Sequence, residues 1–317
     1  MATDVQPLSG IARVHLKHEA TSASSTRETP ARGIIASVAA SGLFAGIFYL
    51  ASWLETSPAY AFGWRAVATC GLGIVLFCNR KGLAAFLSYW QSLTRSWWMP
   101  LVFLVFTAIV GLQLWLFVWT PVNGYALDVS LGYLLLPISL VLIGRIVFKD
   151  RLSPLQWVAV GLAAAGVGVQ IVFTQAVSWV TLAICIAYAI YLTGRKYLRL
   201  DQDIAFFIET LAMTPVAFFA ITTNTAPLST LGILAVAGIA IAGTVGMLAF
   251  LSASRILPIP IFGLLTYVEP VLLFLVAVVL GEQLGSADVA VYPMIFAALM
   301  LLGFDGLRTM RHHHKTA

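Results

Sequence analysis

The sequence predicts an all-α integral membrane protein with ten transmembrane helices, built as two inverted five-helix repeats. Three observations predict this class: an apolar composition, apolar runs of membrane-spanning length, and basic residues between alternate runs. Of the 317 residues, 60% are hydrophobic and 10% are charged, whereas soluble domains carry about 25% charged residues. A soluble chain of this composition could not cover its surface with polar groups, which indicates the membrane class.

Ten apolar runs are long enough to cross a bilayer, since a helix needs about 20 mostly apolar residues to do so. Turn-forming and polar residues separate them, as at Pro121–Gly124 and at Ser153–Pro154. The second of these is typical of a helix start, with Ser as N-cap and Pro at the first helical position. The runs are 33–54, 60–78, 98–120, 126–147, 154–173, 176–197, 203–222, 229–252, 259–280 and 286–307.

The basic residues test this count. Ten spans place both termini and alternate loops on one side of the membrane. Of the 18 Lys and Arg residues, all except Arg65 fall on that side, which leaves 17. The positive-inside rule then predicts that both termini of this multi-pass protein are cytoplasmic. The location we expect is the cytoplasmic (inner) membrane of a bacterium. The pattern also explains the net charge of +5 without a nucleic-acid partner.

The two halves of the chain share an ordered set of similar segments. Residues 61–65 match 205–209, residues 132–137 match 266–270, and Lys149-Asp150 occupies the place of Gly281-Glu282. Five spans per copy is an odd number, so the copies enter the membrane from opposite sides, as in many secondary transporters. The predicted division is a cytoplasmic flexible tail (1–32), repeat one (33–173), repeat two (176–307) and a cytoplasmic basic tail (308–317).

Several motifs carry a family resemblance that extends over about residues 33–307. They are Leu114–Trp119, Asp128–Tyr133 leading to Pro137, Arg151-Leu152, Gln156-Trp157, Ile208–Leu211, Tyr267–Pro270 and Gly281-Glu282. The chain resembles the EamA-type members of the drug/metabolite transporter superfamily, and among them the RarD-like branch. The resemblance implies two inverted EamA repeats around a central cavity and favours export of a metabolite or drug. One departure is Lys149-Asp150, where the first repeat usually ends in Gly-Glu or a similar acidic pair.

Glu269 is the ionisable residue nearest the middle of a span, and Pro270 follows it. An acid at this depth costs a few kcal/mol and usually faces a cavity or a partner. Three interpretations remain open. Glu269 could be a protonatable coupling or substrate site, a structural group bonded to a neighbouring helix, or part of a backbone irregularity at Pro270. Pro137 and Pro270 are both predicted helix-break positions.

Arg65 and Glu209 are further candidates for the transport site. They occupy equivalent repeat positions, so inversion places them toward opposite faces and makes a direct pair unlikely. Arg65 either snorkels to the outer interface or contacts an anion at the outer mouth.

Tyr133 and Tyr267 precede the two repeat prolines at matching positions. Together with Gln113, Trp115 and Asn123 they could line a cavity for an organic solute. The alternative for each of these residues is packing or anchoring at the membrane interface.

The function predicted from these features is secondary active transport of small organic solutes by alternating access, with export as the favoured direction. The predicted partners are a small solute, such as an amino acid or an amphipathic drug, the lipid bilayer, and protons as a candidate coupling ion. We expect no enzyme activity, cofactor or metal, because the sequence has no phosphate-binding loop, zinc-ligand spacing or nucleophile elbow. The alternative is a non-transporting receptor or assembly factor on a transporter scaffold.

Overall fold

A computed structural model describes residues 29–149, 152–174, 178–202, 204–225, 227–257 and 259–316. Within these ranges the regular secondary structure is helical, and they contain no β-strand. The α-helices are α1 (Thr29–Ala51), α2 (Pro58–Phe77), α3 (Arg80–Thr94), α4 (Met99–Val122), α5 (Ala126–Val147), α6 (Pro154–Thr174), α7 (Trp179–Leu182), α8 (Ala189–Tyr197), α9 (Ala205–Ala212), α10 (Thr214–Thr222), α11 (Thr230–Ile256), α12 (Ile259–Leu265), α13 (Val268–Val279) and α14 (Ser286–Thr316). A π-helix, π1 (Ala183–Tyr188), joins α7 to α8.

The predicted multi-pass helical class is confirmed. Among the described residues, eight helical segments are long and apolar enough to cross a membrane, and each corresponds to one predicted span. A ninth predicted span corresponds to α9 and α10, which form a pair bent by 43°. The remaining segment, 176–197, is helical from Trp179 to Tyr197 but passes through π1. The full count of ten spans therefore stays a prediction.

Two helical regions lie outside the predicted spans. Helix α3 occupies the connection between the second and third spans, where the sequence analysis identified only a basic loop. Its N-cap is Asn79, whose side chain accepts a hydrogen bond from the Gly82 amide, and it buries Tyr89 and Leu93. At the other end of the chain, α14 continues to Thr316 through most of the predicted basic tail. Most of the predicted flexible tail (1–32) lies outside the described residues, as do Asp150 of the Lys149-Asp150 pair and Arg151 of the Arg151-Leu152 motif.

The basic residues gather at one end of the bundle, which we call the basic end. They lie at or just beyond helix termini there, and contacts join these termini. Lys196 Nζ lies 5.7 Å from the centre of the Phe148 ring, which connects the ends of α8 and α5. At the opposite end the hydroxyl of Thr56 donates to the Asn224 side chain over 2.7 Å, which joins two loops without basic residues. The described residues of the basic end include Arg32, Arg80, Lys81, Arg95, Arg145, Lys149, Arg195, Lys196, Arg199 and Arg255.

The largest packed core lies toward the opposite end. We call this set the closing core, and it draws side chains from seven of the predicted spans. Phe48, Leu116, Val129, Ile184, Ile239 and Leu273 are among its fully or almost fully buried members. Burial of such side chains contributes about 1.5–3 kcal/mol each in water, but within a bilayer close packing itself holds the helices together. The closing core fills that end of the bundle with packed side chains.

Several helices end in a left-handed residue. Gly281 (φ 89°) follows α13, and Lys149 (φ 59°) follows α5. The end of α13 is a Schellman motif, in which the Gly281 amide donates to Val278 O over 3.0 Å and the Glu282 amide to Ala277 O over 3.2 Å. Glycine adopts this conformation without a Cβ penalty. Lysine at the equivalent position does not have this advantage.

We expect Lys149→Gly to stabilise the protein by about 1 kcal/mol, because it removes the left-handed penalty of an L-residue. The measurement is the midpoint of thermal unfolding in detergent. Lys149→Ala is the matched control, since it removes the same charge and keeps the penalty. Equal midpoints for the two variants would contradict the prediction.

Candidate solute cavity

A cavity of about 580 Å³ lies between the closing core and the basic end. Helices α1, α2, α4, α5, α8, α11, α12 and α13 contribute to its wall, together with Tyr188 of π1 and Phe206 of α9. Helices α6 and α14 pack against each other outside it. Five of the predicted substrate or coupling residues line the cavity together with both predicted helix-break prolines and Thr266: Arg65, Gln113, Tyr133, Tyr267, Glu269, Pro137 and Pro270.

Eight substrate or coupling residues were predicted, and five of them line the cavity. Thr266 also lines it and was not predicted. The five are Arg65, Gln113, Tyr133, Tyr267 and Glu269. The other three, Glu209, Trp115 and Asn123, lie elsewhere.

Glu269 reaches the cavity from a broken helix. The chain leaves helical geometry at Thr266 and Tyr267, between α12 and α13. Pro270 then lies in the first turn of α13, where the missing amide hydrogen costs nothing because first-turn amides have no intrahelical partner. Glu269 occupies the same first turn, and the positive end of a helix dipole stabilises an anion there. The break thus explains how a carboxyl group and a proline stand side by side within an apolar run.

Arg65 of α2 faces the cavity from the other side. It is 4% exposed, so it does not snorkel to the interface. Its Nη1 donates to Leu114 O over 3.4 Å, and its guanidinium carbon lies 5.6 Å from the centre of the Phe117 ring. Arg65 and Glu269 also attract each other electrostatically. The cavity therefore carries one cationic and one anionic group on a mostly apolar wall.

Gly243 of α11 provides the space that Arg65 occupies. A Cβ at this position would lie 2.5 Å from Arg65 Nε and 3.0 Å from its Cδ. These atoms belong to the middle of the side chain, so the whole arginine would have to move. The glycine is thus required by a close approach between two helices and a buried charge.

A polar strip of tyrosine and glutamine continues along the wall. The Tyr133 hydroxyl donates to Gln113 Oε1 over 3.2 Å, and Gln113 Nε2 donates to Ala183 O over 3.4 Å. Ala183 opens π1, and π-helical turns release backbone carbonyls from regular helical bonding. Tyr188 follows at the end of π1 and stacks on Tyr191, with ring centres 5.6 Å apart.

The sequence analysis did not place Tyr188 and Tyr191 in the site. Their spacing of three residues puts them on one helical face, and this was the available signal. It could not show that the face points to the cavity, because π1 shifts the register of the helix just before it.

Pro137 lines the cavity without breaking its helix. Helix α5 runs from Ala126 to Val147 with Pro137 inside it, which differs from the predicted break at this position. Proline removes one amide donor, and the carbonyl four residues earlier loses its partner. That carbonyl belongs to Tyr133, another cavity residue. The carbonyl without an intrahelical donor therefore lies next to the cavity and not in lipid.

Glu209 lies outside the cavity in a separate buried network. It is completely buried, accepts a hydrogen bond from the Tyr191 hydroxyl over 2.8 Å, and lies 3.9 Å from Arg195 Nη1. Arg195 also donates to Tyr191 and to Gln202 O over 3.0 Å. The hydrogen bond of Arg65 to Leu114 O and that of Tyr191 to Glu209 belong to different parts of the bundle. The network connects α8 to α9 and meets the cavity only through Tyr191.

Trp115 and Asn123 also lie away from the cavity wall. Trp115 stacks on Trp119 with ring centres 5.0 Å apart and packs against the closing core. Asn123 is exposed at the end of α4, where its side chain donates to Trp119 O over 2.7 Å. These contacts correspond to the packing alternative for Trp115 and to a helix-terminal role for Asn123.

The cavity can hold a small amphipathic molecule, and the described residues contain no cluster of His, Cys, Asp or Glu suited to a metal ion. A multi-pass helical bundle with a charged internal cavity is the architecture of membrane transport proteins. Comparison with known proteins specifies the family.

No protein-family profile matches the sequence. Curated relatives do match over most of its length. The chain is 34% identical over 283 residues to an uncharacterized transporter of Haemophilus influenzae, covering 87% of this chain and 94% of the relative. It is 35% identical over 292 residues to the chloramphenicol-sensitive protein RarD of Pseudomonas aeruginosa, covering 88% and 96%. It is 30% identical over 238 residues to protein RarD of Escherichia coli, covering 72% and 80%. The chain belongs to the RarD-like transporter family.

We expect Gly243→Ala to reduce transport about tenfold, because displacement of a site group by about 1 Å is enough for a loss of this size. The measurement is net solute transport at matched membrane abundance. Gly168→Ala is the control, since a Cβ there meets no atom within 4 Å. Unchanged transport in Gly243→Ala would mean that the position of Arg65 is not critical.

Proposed function

We propose that the protein is a secondary active transporter of small organic solutes, acting as a metabolite or drug exporter in the cytoplasmic membrane of a bacterium. The observation that carries the proposal is the cavity of about 580 Å³ with Arg65 and Glu269 on its wall. Ionisable residues inside a membrane are rare and mark solute or ion sites. Membership of the RarD-like family supports transport but does not name the solute.

Ten spans in two inverted repeats are part of the proposal. The packing supports it, because elements that the repeat makes equivalent meet as pairs: α2 with α9 and α10, α5 with α13, and α6 with α14. A two-fold axis in the membrane plane would bring each helix to its own equivalent in this way. The left-handed residues Lys149 and Gly281, each followed by an acid, end equivalent helices. Under the positive-inside rule the basic end is cytoplasmic.

The shape of the bundle corresponds to a state that loads from the cytoplasm. The closing core seals the end opposite the basic residues, and the cavity extends toward the basic end through Leu140, Phe250 and Phe262. Helices α1 and α11 form the most extensive pair. Their repeat equivalents are the α7–α8 segment and α4, which contact each other over a smaller region. If this second pair packed extensively and α1 and α11 separated, the cavity would open to the other side.

The chemistry of the cavity favours an amphipathic solute with an acidic and a basic group, such as an amino acid. Arg65 suits a carboxylate because its planar fork can donate two hydrogen bonds. Glu269 suits an amino group, and it is also the candidate carrier of a coupling proton. Tyr133, Tyr188 and Phe250 offer flat apolar surfaces for the rest of the molecule. The name of the P. aeruginosa relative connects that protein with chloramphenicol, so this antibiotic is a second probe.

The experiment compares the growth media of cells that express wild-type protein or Glu269→Gln, matched for membrane abundance, by untargeted mass spectrometry. Export predicts that at least one solute is enriched outside wild-type cells and falls back in the variant. Isotope-labelled leucine and phenylalanine, loaded as dipeptides, and chloramphenicol serve as defined probes. A medium unchanged by wild-type protein, with no efflux of any probe, would overturn the export proposal. Enrichment by both proteins would leave export in place and make Glu269 structural.

A further inference from the structure

Glu282 makes an unusual contact between the two halves of the chain. Its Oε1 accepts a hydrogen bond from the Ala126 amide and its Oε2 from the Leu127 amide, both over 2.7 Å. These amides belong to the first turn of α5, where they have no intrahelical acceptor. The carboxylate therefore satisfies two free donors and interacts favourably with the positive end of the helix dipole.

The Gly-Glu pair at the end of α13 explains how the carboxylate arrives there. Gly281 takes the left-handed conformation (φ 89°) that closes the Schellman motif. This turn stops α13 and directs the next side chain sideways, across to α5. The pair thus works as a unit, since glycine provides the turn and glutamate makes the contact.

Two more side chains from the second half hold the same end of α5. The Tyr292 hydroxyl donates to Leu127 O over 2.8 Å, and Thr181 Oγ1 donates to Asp128 O over 2.9 Å. Both are bonds between neutral groups. The contact of Glu282 is charge-assisted, and such bonds are roughly twice as strong as neutral ones.

The contact lies at the sealed end of the bundle, beside members of the closing core. Val129 of α5 and Ala277 of α13 belong to that core and lie within one turn of the contact. Helix α5 also carries Tyr133, and α13 carries Glu269, so the same contact fixes two cavity walls relative to each other. Opening of this end requires α5 and α13 to separate.

We propose that Glu282 is the latch of the outer gate, a positioning residue that holds the transporter closed to the outside until the solute site has loaded. The inference rests on the proposed alternating-access function. Glu282 is only partly buried, so water can replace the amides when the contact breaks, and the latch is reversible. Breaking and re-forming the contact therefore costs little free energy, which allows the transporter to cycle between the two states.

The test measures access to the cavity from outside. Thr69 lines the cavity, and Thr69→Cys in a chain whose three native cysteines are replaced by alanine reports access by reaction with a membrane-impermeant thiol reagent. We expect Glu282→Gln and Glu282→Ala to raise the labelling rate from outside about tenfold, as loss of a charged hydrogen bond predicts. Glu282→Asp, with a shorter reach, should lie between these variants and the parent.

Asp288→Asn is the matched control, because Asp288 accepts its backbone hydrogen bond from Gly285 at the start of its own helix and not from α5. Its labelling rate should equal that of the parent. Unchanged labelling in Glu282→Gln and Glu282→Ala would overturn the latch, as would equal acceleration in Asp288→Asn. The labelling assay uses no solute. If labelling is unchanged in the Glu282 variants while efflux is normal, the latch is excluded and the proposed function stands. Faster labelling without any transported solute would support the latch and count against the proposed export.

Discussion

Glu269→Gln is expected to reduce export of an amine-bearing solute about tenfold or more, with little change in membrane abundance. A charged hydrogen bond contributes about 1.5–3 kcal/mol, which corresponds to roughly a tenfold to 150-fold change in binding. Glutamine keeps the shape of the side chain and its place in the first turn of α13. The loss would therefore come from charge and not from packing. Initial efflux rates from preloaded cells are the measurement.

Glu55→Gln is the control for this prediction, since Glu55 is an exposed acid outside the cavity lining. If Glu269 acts only as a solute contact, the loss should be confined to solutes with an amino group. If it also carries the coupling proton, efflux of neutral probes such as chloramphenicol should lose its response to an imposed pH gradient. Normal efflux of every probe in both Glu269→Gln and Glu269→Ala would exclude a direct role.

Arg65→Lys is expected to weaken solute binding while leaving the protein folded. Lysine keeps the positive charge but loses the planar fork and the stacking on Phe117. We expect KM for a carboxylate-bearing solute to rise about tenfold, with a smaller change in the maximal rate. Arg65→Ala should be worse, because it removes the charge that faces Glu269 and leaves a space beside Gly243.

A double-mutant cycle separates the partnership of Arg65 and Glu269 from their separate roles. Removal of one of two opposite charges in the interior of a membrane protein leaves the other uncompensated, which is destabilising. The double variant Arg65→Ala/Glu269→Gln should therefore be more thermostable than Arg65→Ala alone. Strict additivity of the two single effects on the unfolding midpoint would show that the charges act independently. A fully active Arg65→Lys protein would exclude recognition through the guanidinium fork.

Much of the architecture could be predicted because it follows from the membrane itself. A bilayer admits only long apolar segments that satisfy their own backbone hydrogen bonds, so length and hydropathy identify such helices directly. The weakest predicted segment, 176–197, shows the limit of this reasoning. Its π-helical turn depends on neighbours such as Gln113, which bonds the released carbonyl of Ala183, and no local pattern encodes that partner.

The candidate site was predictable where an unusual residue stands in an apolar run. Glu269 beside Pro270 signalled a broken helix, because an acid within an apolar run and a missing amide hydrogen both require special surroundings. Glu209 carried the same signal and lies elsewhere, bonded to Tyr191. A buried acid shows that a partner or a cavity is needed, and it does not show which of the two is present.

The sequence by itself determined the class of the protein, most of its helices, the one-sided distribution of its basic residues and the presence of costly charges in its interior. Only the tertiary structure decided which charges share a cavity, that Arg65 fits against Gly243, and that Glu282 reaches the first turn of α5. The physical reason is that the bilayer acts on each segment separately. Contacts between segments depend on angles and distances that arise when the helices pack together.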